Sequence, residues 1–347
     1  MAYPTLKGND IYTALFNQVV GITVEGSPIA STQSSLLNSM RLDVSKYGDT
    51  KLIIDTDILS SVEWKQDSDD ACNVLAVKRA KPYCKPLTIE KARQVMITVD
   101  SFGISSMAFG DEGTFGAFNS AVESWVSRTK EVYEAGIFNV FAGSQEAEGA
   151  SQSLTVTVGT DETLAQRVAA ELDELFVKLA FPSRKYNDIK FMKSFDKSDL
   201  KLVWNEKYLK DLKKIDLPAL YGAALVEPDV AFVMPEEYFG KLVETKVAAA
   251  DNKGGYTAAE EADYGDTHVF PGEEIPQGYA IEAGKAIKVD DTIVCKVVAK
   301  GCLPFLTGVS SSTEFVNGKN NSRNMYLTWT FDYDRLPNKP LITIRKA

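Results

Sequence analysis

Two stretches of the chain place apolar residues at the spacing of an amphipathic helix. In the stretch 114–142, apolar side chains recur every three or four residues, and charged side chains occupy the other faces. Asp111 or Thr114 can cap its start, and Gly143 can end it. A second helix is predicted over 161–179. At 1.5 Å per residue the first helix spans about 43 Å, a length typical of a scaffold element across which other layers pack.

The segment 51–101 is rich in β-branched and apolar residues, which predicts strands. We expect three of them: KLIIDTDILSSVEW (51–64), CNVLAVKRA (72–80) and LTIEKARQVMITVDSF (87–102). A polar turn separates the first two strands, and the basic loop KRAKPYCKP leads into the third. A long hairpin with so few core-forming neighbours is not stable alone, so we expect another surface to cover it.

Short strands and helices alternate over 183–250. The segment DVAFVMPEEYFGKLVET (229–245) predicts a strand and then a helix that begins at Pro235 and Glu236. Residues 251–286 are rich in Gly, Pro and acidic residues, which predicts an extended loop insertion. Further strands are expected at 292–300, 325–334 and 341–346. Together these elements predict an α+β fold.

The N-terminal segment has a different character. Residues 24–35 are small and polar, which predicts an extended arm that cannot bury itself and needs another surface to lie on. The N-terminus has no basic stretch followed by an apolar block, so no signal peptide is predicted. No run of about 18 apolar residues occurs, so we expect no membrane span.

The charge of the chain restricts its partners. The 347 residues carry a formal net charge of −10, and an acidic surface repels phosphate backbones. We therefore expect only loose contact with nucleic acid. The four cysteines form no C-x-x-C pair, and free thiols in a reducing compartment are the simplest interpretation.

Motifs that carry catalysis are scarce. The only histidine is His268, which excludes a histidine-rich metal site and leaves one residue for any Ser–His–Asp triad. Neither a G-x-S-x-G elbow nor a Walker phosphate-binding motif occurs. The sequence therefore predicts no catalytic residue, no cofactor and no metal.

Carboxylate pairs keep one enzymatic alternative open. The pairs Asp55/Asp57 and Asp332/Asp334 each lie two residues apart on a predicted strand, and we interpret both as solvated strand faces. A carboxylate-based hydrolase would instead need a pocket in which three acids of the region 251–291 converge. The acids in question are Asp263, Asp266 and Asp290.

One pair of oppositely charged segments is a candidate for contacts between subunits. The basic loop carries Lys78, Arg79, Lys81 and Lys85, and the polar turn before it carries Asp67, Asp69 and Asp70. Opposite charges on neighbouring copies attract and fix their register. The alternative is that both segments are solvated loops of a single chain.

The order of these elements resembles that of the major capsid proteins of tailed bacteriophages, whose fold is shared with the floor of the herpesvirus shell. The likeness is strongest to short-tailed phages. It runs from the arm through KPLTIEKARQVMITVDSF and the long helix to LTWTFDYDRLPNKPLITI. It implies five parts: an N-terminal arm (1–41), an E-loop β-hairpin (42–101), a peripheral domain with the spine helix 114–142 (102–182), an axial domain with the insertion 251–286 (183–324), and C-terminal strands that return to the peripheral domain (325–347).

The resemblance also implies a function. It predicts a structural virion protein, not an enzyme, that assembles in the host cytoplasm as hexamers and pentamers of an icosahedral capsid around double-stranded DNA. No large scaffolding segment precedes the arm, which implies a separate scaffolding protein. A portal and weak, non-specific contact with the packaged DNA are implied as further partners. No residues match the Lys–Asn cross-link of one branch of the family. A tail or connector subunit is the alternative.

Overall fold

The structure, a computed structural model of the 347-residue chain, describes most of the sequence. The described residues are 35–43, 46–59, 79–80, 82–100, 112–159, 164–213, 231–244, 267–268, 285–319 and 322–347. Within them lie four α-helices: α1 (Ser35–Met40), α2 (Glu112–Ser144), α3 (Leu164–Ala180) and α4 (Glu206–Lys213). The predicted long helix is therefore confirmed, and α2 is called the spine helix below.

The spine helix extends two residues beyond each predicted end. Its 33 residues span about 50 Å. Gly143, which the sequence analysis expected to end the helix, lies inside its last turn. A Cβ atom at Gly143 would overlap the backbone carbonyl of Tyr238, so a glycine is required by this close approach and not by a helix stop.

The strands form four sheets. They are β1 (Arg41–Asp43), β2 (Thr50–Thr56), β3 (Pro82–Thr88), β4 (Lys91–Asp100), β5 (Ser153–Val156), β6 (Leu200–Asn205), β7 (Ala231–Met234), β8 (Gly240–Glu244), β9 (Thr267–His268), β10 (Lys285–Val289), β11 (Ile293–Ala299), β12 (Phe305–Asn317), β13 (Ser322–Tyr333) and β14 (Leu341–Lys346). The strand orders are β5-β14-β11-β6-β7, β1-β12-β13-β4, β8-β10-β9 and β2-β3. The two-stranded sheet is called the ribbon below.

The five-stranded sheet contains the most completely buried strand. All seven residues of β11 are buried, because β11 pairs with β6 and β14 at its edges and other elements cover both of its faces. Helix α3 contributes Val168, Leu172, Leu175 and Leu179 to the same core. Burial of one stripe of α3 follows from its apolar residues at helical spacing.

The four-stranded sheet packs one face on the spine helix. Tyr133 of the helix meets Trp329 and Phe331 of β13 edge to face, with ring centroids 6.0 and 5.8 Å apart. Phe138 meets Phe305 of β12 in the same way at 5.8 Å. These aromatic contacts fix the sheet against the half of the helix that lies toward its C-terminus.

The prediction of a helix that begins at Pro235 and Glu236 is wrong. A single 3-10 turn, Glu236–Tyr238, is followed by strand β8, which pairs with β10. Gly240 faces the backbone carbonyl of Lys288 at a distance that leaves no room for a Cβ atom. The long-range pairing therefore overrides the local helix signal of Pro235 and the two glutamates after it.

The strand predictions for 51–101 need two corrections. First, strand β3 begins inside the segment that was expected to be a basic loop. Second, the predicted third strand is interrupted after β3, and its remaining part, β4, pairs with β13 in the four-stranded sheet. The break occurs at Ile89, whose backbone bonds to Gly48 and Asp49 at the base of the ribbon. Strand β3 contains prolines, which have no N–H to donate. They are tolerated because β2 is the one described partner of β3, so the other edge of β3 needs no N–H donor.

Three predicted domain boundaries do not follow the sheets. The boundary at 324 falls inside β13, because β12 and β13 form one long hairpin in the four-stranded sheet. The boundary at 182 divides the five-stranded sheet, which joins β5 to β6, β7 and β11. The boundary at 41 falls inside β1, and Leu36, Leu37 and Met40 of α1, just before it, are buried in the core of their own chain.

Candidate functional site

The ribbon has two chemically different faces. Residues that lie opposite each other in an antiparallel pair project to the same side. Ile53 lies opposite Lys85 and Asp55 opposite Tyr83, and this side is called the inner face. Leu52 lies opposite Pro86 and Ile54 opposite Cys84, and this side is called the outer face.

The inner face is covered by the rest of the chain. Ile53 packs against a small cluster that the ribbon shares with the four-stranded sheet and the loop after it. Its buried members are Leu87, Ile89, Leu306 and Leu336. Lys85 adds a polar contact, because its ammonium donates to the carbonyl of Arg335 and pairs with Asp334, both at 2.7 Å.

Asp55 and Asp57 also hold the ribbon to its own chain. Asp55 pairs with Lys193 and accepts a hydrogen bond from Asn338 at 2.6 Å. Asp57 accepts from the backbone N–H of Met192 at 2.9 Å and pairs with Arg184 at 2.5 Å. The interpretation of these two aspartates as a solvated strand face is therefore wrong.

The pKa values of both aspartates reflect these contacts. Burial raises the pKa of Asp55, but the hydrogen bonds from Lys193 and Asn338 outweigh it, so the pKa lies below its ordinary value. The backbone hydrogen bond from Met192 is the largest influence on Asp57, and together with Arg184 it lowers that pKa as well. Both carboxylates are therefore ionised at neutral pH and act as fixed anchors.

The outer face is apolar and uncovered. Leu52 and Ile54 are 54% and 62% exposed, and Pro82, Cys84 and Pro86 on the partner strand are exposed too. No charged side chain of β2 or β3 lies on this face, since Lys51, Asp55 and Lys85 belong to the inner one. A contiguous uncharged apolar face of this kind marks an interaction surface.

The segment that precedes the ribbon is fixed to the spine helix by an ion pair. Arg41 of β1 contacts Glu134 of the spine helix at 2.8 Å, and the side chain of Glu134 is 1% exposed. Burial raises the pKa of Glu134 above its ordinary value, although Lys130 and Arg41 act in the opposite direction. The contact fixes β1 against the spine helix.

A cleft of 480 Å³ lies beside this junction. It is lined by Ser39, Met40, Arg41, Leu42, Phe195, Asp199, Ala299, Lys300, Gly301 and Lys339. Asp199 is the one carboxylate among these lining residues, so the cleft has no pair of acids. The hydrolase hypothesis placed its acids elsewhere. Of those, Asp290 pairs with Arg345 and accepts from Thr292, whereas Asp263 and Asp266 lie outside the described residues.

The cysteines of the described residues are all free thiols. Cys84 is an exposed free thiol, Cys295 and Cys302 are buried free thiols, and Cys72 lies outside the described ranges. Among the residues that the structure describes, no cluster of His, Cys, Asp and Glu is arranged to hold a metal ion. None of the described helices is long and apolar enough to cross a membrane.

Several solved structures share this architecture. No family model and no curated protein match the chain. The capsid structure of Staphylococcus phage Andhra is 12% identical at a TM-score of 0.67, and the match covers 94% of this chain and 87% of that one. The structure of head fiber and inner core protein gp22 of native bacteriophage P68 is 12% identical at 0.61, covering 93% and 87%. The mature capsid of bacteriophage PhiM1 is 11% identical at 0.52, covering 94% and 90%.

This chain has the major capsid fold of tailed phages. The predicted α+β fold class is thereby confirmed. At this level of identity the likeness concerns the fold, so the site is argued from the residues of this chain.

Two of the seven predicted contact residues, Arg79 and Lys85, lie within the part of the chain that the structure describes. Lys78, Lys81, Asp67, Asp69 and Asp70 lie outside the described residues. Arg79 is exposed, and Lys85 is bound to its own chain through Asp334. The contact between the basic and acidic segments of neighbouring copies stays a prediction.

The apolar outer face of the ribbon was not predicted from the sequence. Alternation did signal two faces in KLIIDTDIL. However, Leu52, Ile53 and Ile54 are all apolar, so the pattern alone does not tell which face turns inward. Only the contacts of Ile53, Asp55 and Lys85 with the rest of the chain decide it.

Proposed function

We propose that this chain is a structural virion protein that assembles into an icosahedral capsid around double-stranded DNA. The capsid fold supports this function, because the structural match to phage capsids extends over nearly the whole chain. The role proposed is structural and not catalytic. The virion capsid is accordingly the proposed location, with folding and assembly in the host cytoplasm.

The contrast between the two faces of the ribbon is the main support for this proposal. Its inner face is fixed to its own chain by an apolar cluster and by the contacts of Lys85, Asp55 and Asp57, so its position does not depend on a neighbour. Its outer face exposes Leu52 and Ile54 to solvent. Apolar surface that is held rigidly and left uncovered is suited to bind a second molecule.

A second copy of the same chain is the proposed partner of the outer face. A ribbon on one side of a subunit that binds the body of the next makes a heterologous contact, and such contacts close into rings of five or six. Each contact can be weak, because many repeated contacts in a closed shell give high avidity. Hexamers and pentamers are the closed rings proposed for this shell.

Three further partners belong to the proposal. We expect a separate scaffolding protein, a portal, and packaged DNA that touches the shell only weakly. The net charge of −10 supports the last point, since an acidic wall does not grip phosphates. Contacts of Lys78, Arg79, Lys81 and Lys85 with Asp67, Asp69 and Asp70 of a neighbour are proposed to add charge complementarity at the edges, with Lys85 shared with its own Asp334.

The test is imaging of the purified chain, expressed alone and together with a candidate scaffolding protein. Closed, roughly spherical shells in negative-stain electron micrographs are the expected result. Open rings or tubes under all conditions would instead support a tail or connector subunit. A monodisperse monomer at high concentration, with and without the scaffold, would contradict both functions.

A further inference from the structure

Lys296 lies in the middle of β11, with its side chain in the protein interior. The residue is 1% exposed, and β11 is the central strand of the five-stranded sheet. The neighbours of Lys296 along the strand, Cys295 and Val297, are completely buried. A lysine in such a position is unusual, because burial of an ammonium group costs several kcal/mol unless a partner compensates it.

The partners of Lys296 are backbone carbonyls at the end of the spine helix. Its Nζ atom donates to the carbonyl of Gly143 and, at 2.9 Å, to that of Gln145. Carbonyls in the last turn of a helix have no partner within the helix and lie at the negative end of its dipole. The side chain therefore caps the spine helix from a strand of a different layer.

The charged groups around Lys296 do not form an ion pair with it. Glu146 and Asp290 face it from the segments after the spine helix and before β11, and both are bound by Arg345 of β14. Within the described residues, no carboxylate oxygen lies within 4.0 Å of Nζ. A neutral amine has two N–H groups, which is enough for both carbonyls.

We propose that Lys296 is a proton-linked latch between the five-stranded sheet and the spine helix: β11 and the end of the helix are held together with a neutral amine, and their separation takes up one proton onto Nζ. Separation exposes Nζ to water, where the ammonium form is favoured. The inference rests on the surroundings of Lys296 and does not depend on the proposed function.

The direction of the pH effect follows from linkage. Burial lowers the pKa of Lys296 to about 7 in the closed junction, whereas an exposed lysine keeps its ordinary value of 10.5. Between these two values the open form binds one proton more than the closed form, so the open form gains as the pH falls. The ratio of open to closed junctions is expected to rise about tenfold for each pH unit from 10.5 down to 7 and to level off below 7.

The measurement stays below pH 8.5, because a thiol or phenol exposed by opening ionises only near its ordinary value, 9.0 for Cys295 and 10.0 for Tyr238. Burial raises the pKa of Cys295 and of Tyr238 above their ordinary values. Burial also raises that of Asp290, but hydrogen bonds from Thr292 and Arg345 outweigh it and hold the pKa low. A His268→Gln background removes the one imidazole of the chain from the measurement.

The test is amide hydrogen exchange of β11 and of the last turn of the spine helix, corrected for intrinsic exchange, between pH 7 and pH 8.5. We expect the opening ratio of the His268→Gln protein to fall about tenfold per pH unit as the pH rises. Lys296→Met keeps an unbranched chain of similar length but cannot bind a proton, so its opening ratio should not change with pH. Lys296→Arg stays charged and should show frequent opening at every pH.

Either of two results would overturn the latch. One is the same pH slope in Lys296→Met as in the parent protein. The other is a parent protein whose opening ratio does not change between pH 7 and pH 8.5, and this result remains decisive if the Lys296 variants do not fold.

Discussion

The five-stranded sheet and the ribbon satisfy their apolar residues in opposite ways. Strand β11 buries all seven of its residues on elements of its own chain. In the ribbon, Ile53 is covered by its own chain, whereas Leu52 and Ile54 on either side of it are exposed. The first region is completed by folding, and the second is completed only when something else covers it.

The difference separates stability from assembly. Covering one leucine or isoleucine side chain contributes about 1.5 to 3 kcal/mol, so the outer face offers several kcal/mol to a partner and nothing to the isolated subunit. Changes in the sheet and its junctions should therefore unfold the subunit. Changes on the outer face of the ribbon should leave the subunit folded and prevent assembly. The predictions below run from the largest to the smallest effect on the isolated subunit.

Gly143→Ala should have the largest effect. The new Cβ would overlap the carbonyl of Tyr238 and force the end of the spine helix away from its neighbours. We expect a loss of about 3 kcal/mol in the free energy of unfolding, measured by urea denaturation. Gly318→Ala is the matched control, because nothing lies within 4 Å of a Cβ at that position, and its effect should stay below about 0.5 kcal/mol. Equal effects of the two substitutions would contradict this explanation.

Arg41→Met should come next, since among the described residues it leaves the buried Glu134 with Lys130, at 3.9 Å, as its one ion-pair partner. Breaking a fully buried pair costs about 3 kcal/mol or more, and we expect about 2 kcal/mol here because one-third of Arg41 is exposed. The measurement is urea denaturation at pH 7.5.

The same site predicts a pH effect. The pKa of Glu134 is raised in the folded state, so the folded chain binds more protons than the unfolded chain above the ordinary value of 4.5. The contribution of Glu134 to stability therefore falls as the pH rises through that window. A comparison of Glu134→Gln with the parent protein at pH 4.5 and 7.5 isolates this contribution. If the difference between the two proteins is the same at both pH values, the assignment is wrong.

Asp55→Asn should have a smaller effect, about 1 kcal/mol, because it weakens one partly exposed ion pair but keeps a side chain of the same shape. Hydrogen exchange should become faster in β2 and β3 while β11 is unaffected. The pKa of Asp55 is lowered in the folded state, so its contribution is present above pH 3.8 and is lost as the pH falls through the folded value. If the parent protein and the Asp55→Asn variant unfold at the same acid pH, Asp55 does not contribute to stability in this way.

The double substitution Leu52→Lys with Ile54→Lys should have the smallest effect on the isolated subunit, below about 0.5 kcal/mol, because both side chains are exposed. Particle yield should nevertheless fall at least tenfold, as measured by sedimentation. Val177→Lys, an equally exposed apolar position on α3, is the control. Normal particles from the double variant would show that the outer face is not a contact.

The sequence predicted those elements whose signals are local. The spine helix was found because its apolar period continues over many turns, and β11, β13 and β14 were found because each is dense in apolar and β-branched residues. Strand β12 was missed, since VSSSTEF has few apolar residues and is recognised only through its pairing with β13. The strand β8 was predicted as a helix for the same reason, because its partner β10 lies more than 40 residues away in sequence.

The functional surface was harder to predict than the fold. The charges of the segment 67–85 suggested contacts between subunits, but Lys85 and Asp55 have partners that are about 250 and 140 residues distant in the chain. Lys296 carried a visible signal, a single charge within the apolar strand IVCKVVA, and its partners at the end of the spine helix were not predictable from that pattern.

The most direct test of the exposed outer face uses Cys84, which lies opposite Ile54 on that face. In a Cys72→Ser background, the other two thiols are buried, so a maleimide reagent reports on Cys84 alone. Cys84 should react rapidly in dissociated subunits and at least tenfold more slowly in assembled particles, because a neighbouring copy covers it. Equal rates in both states would contradict the claim that sister subunits cover this face.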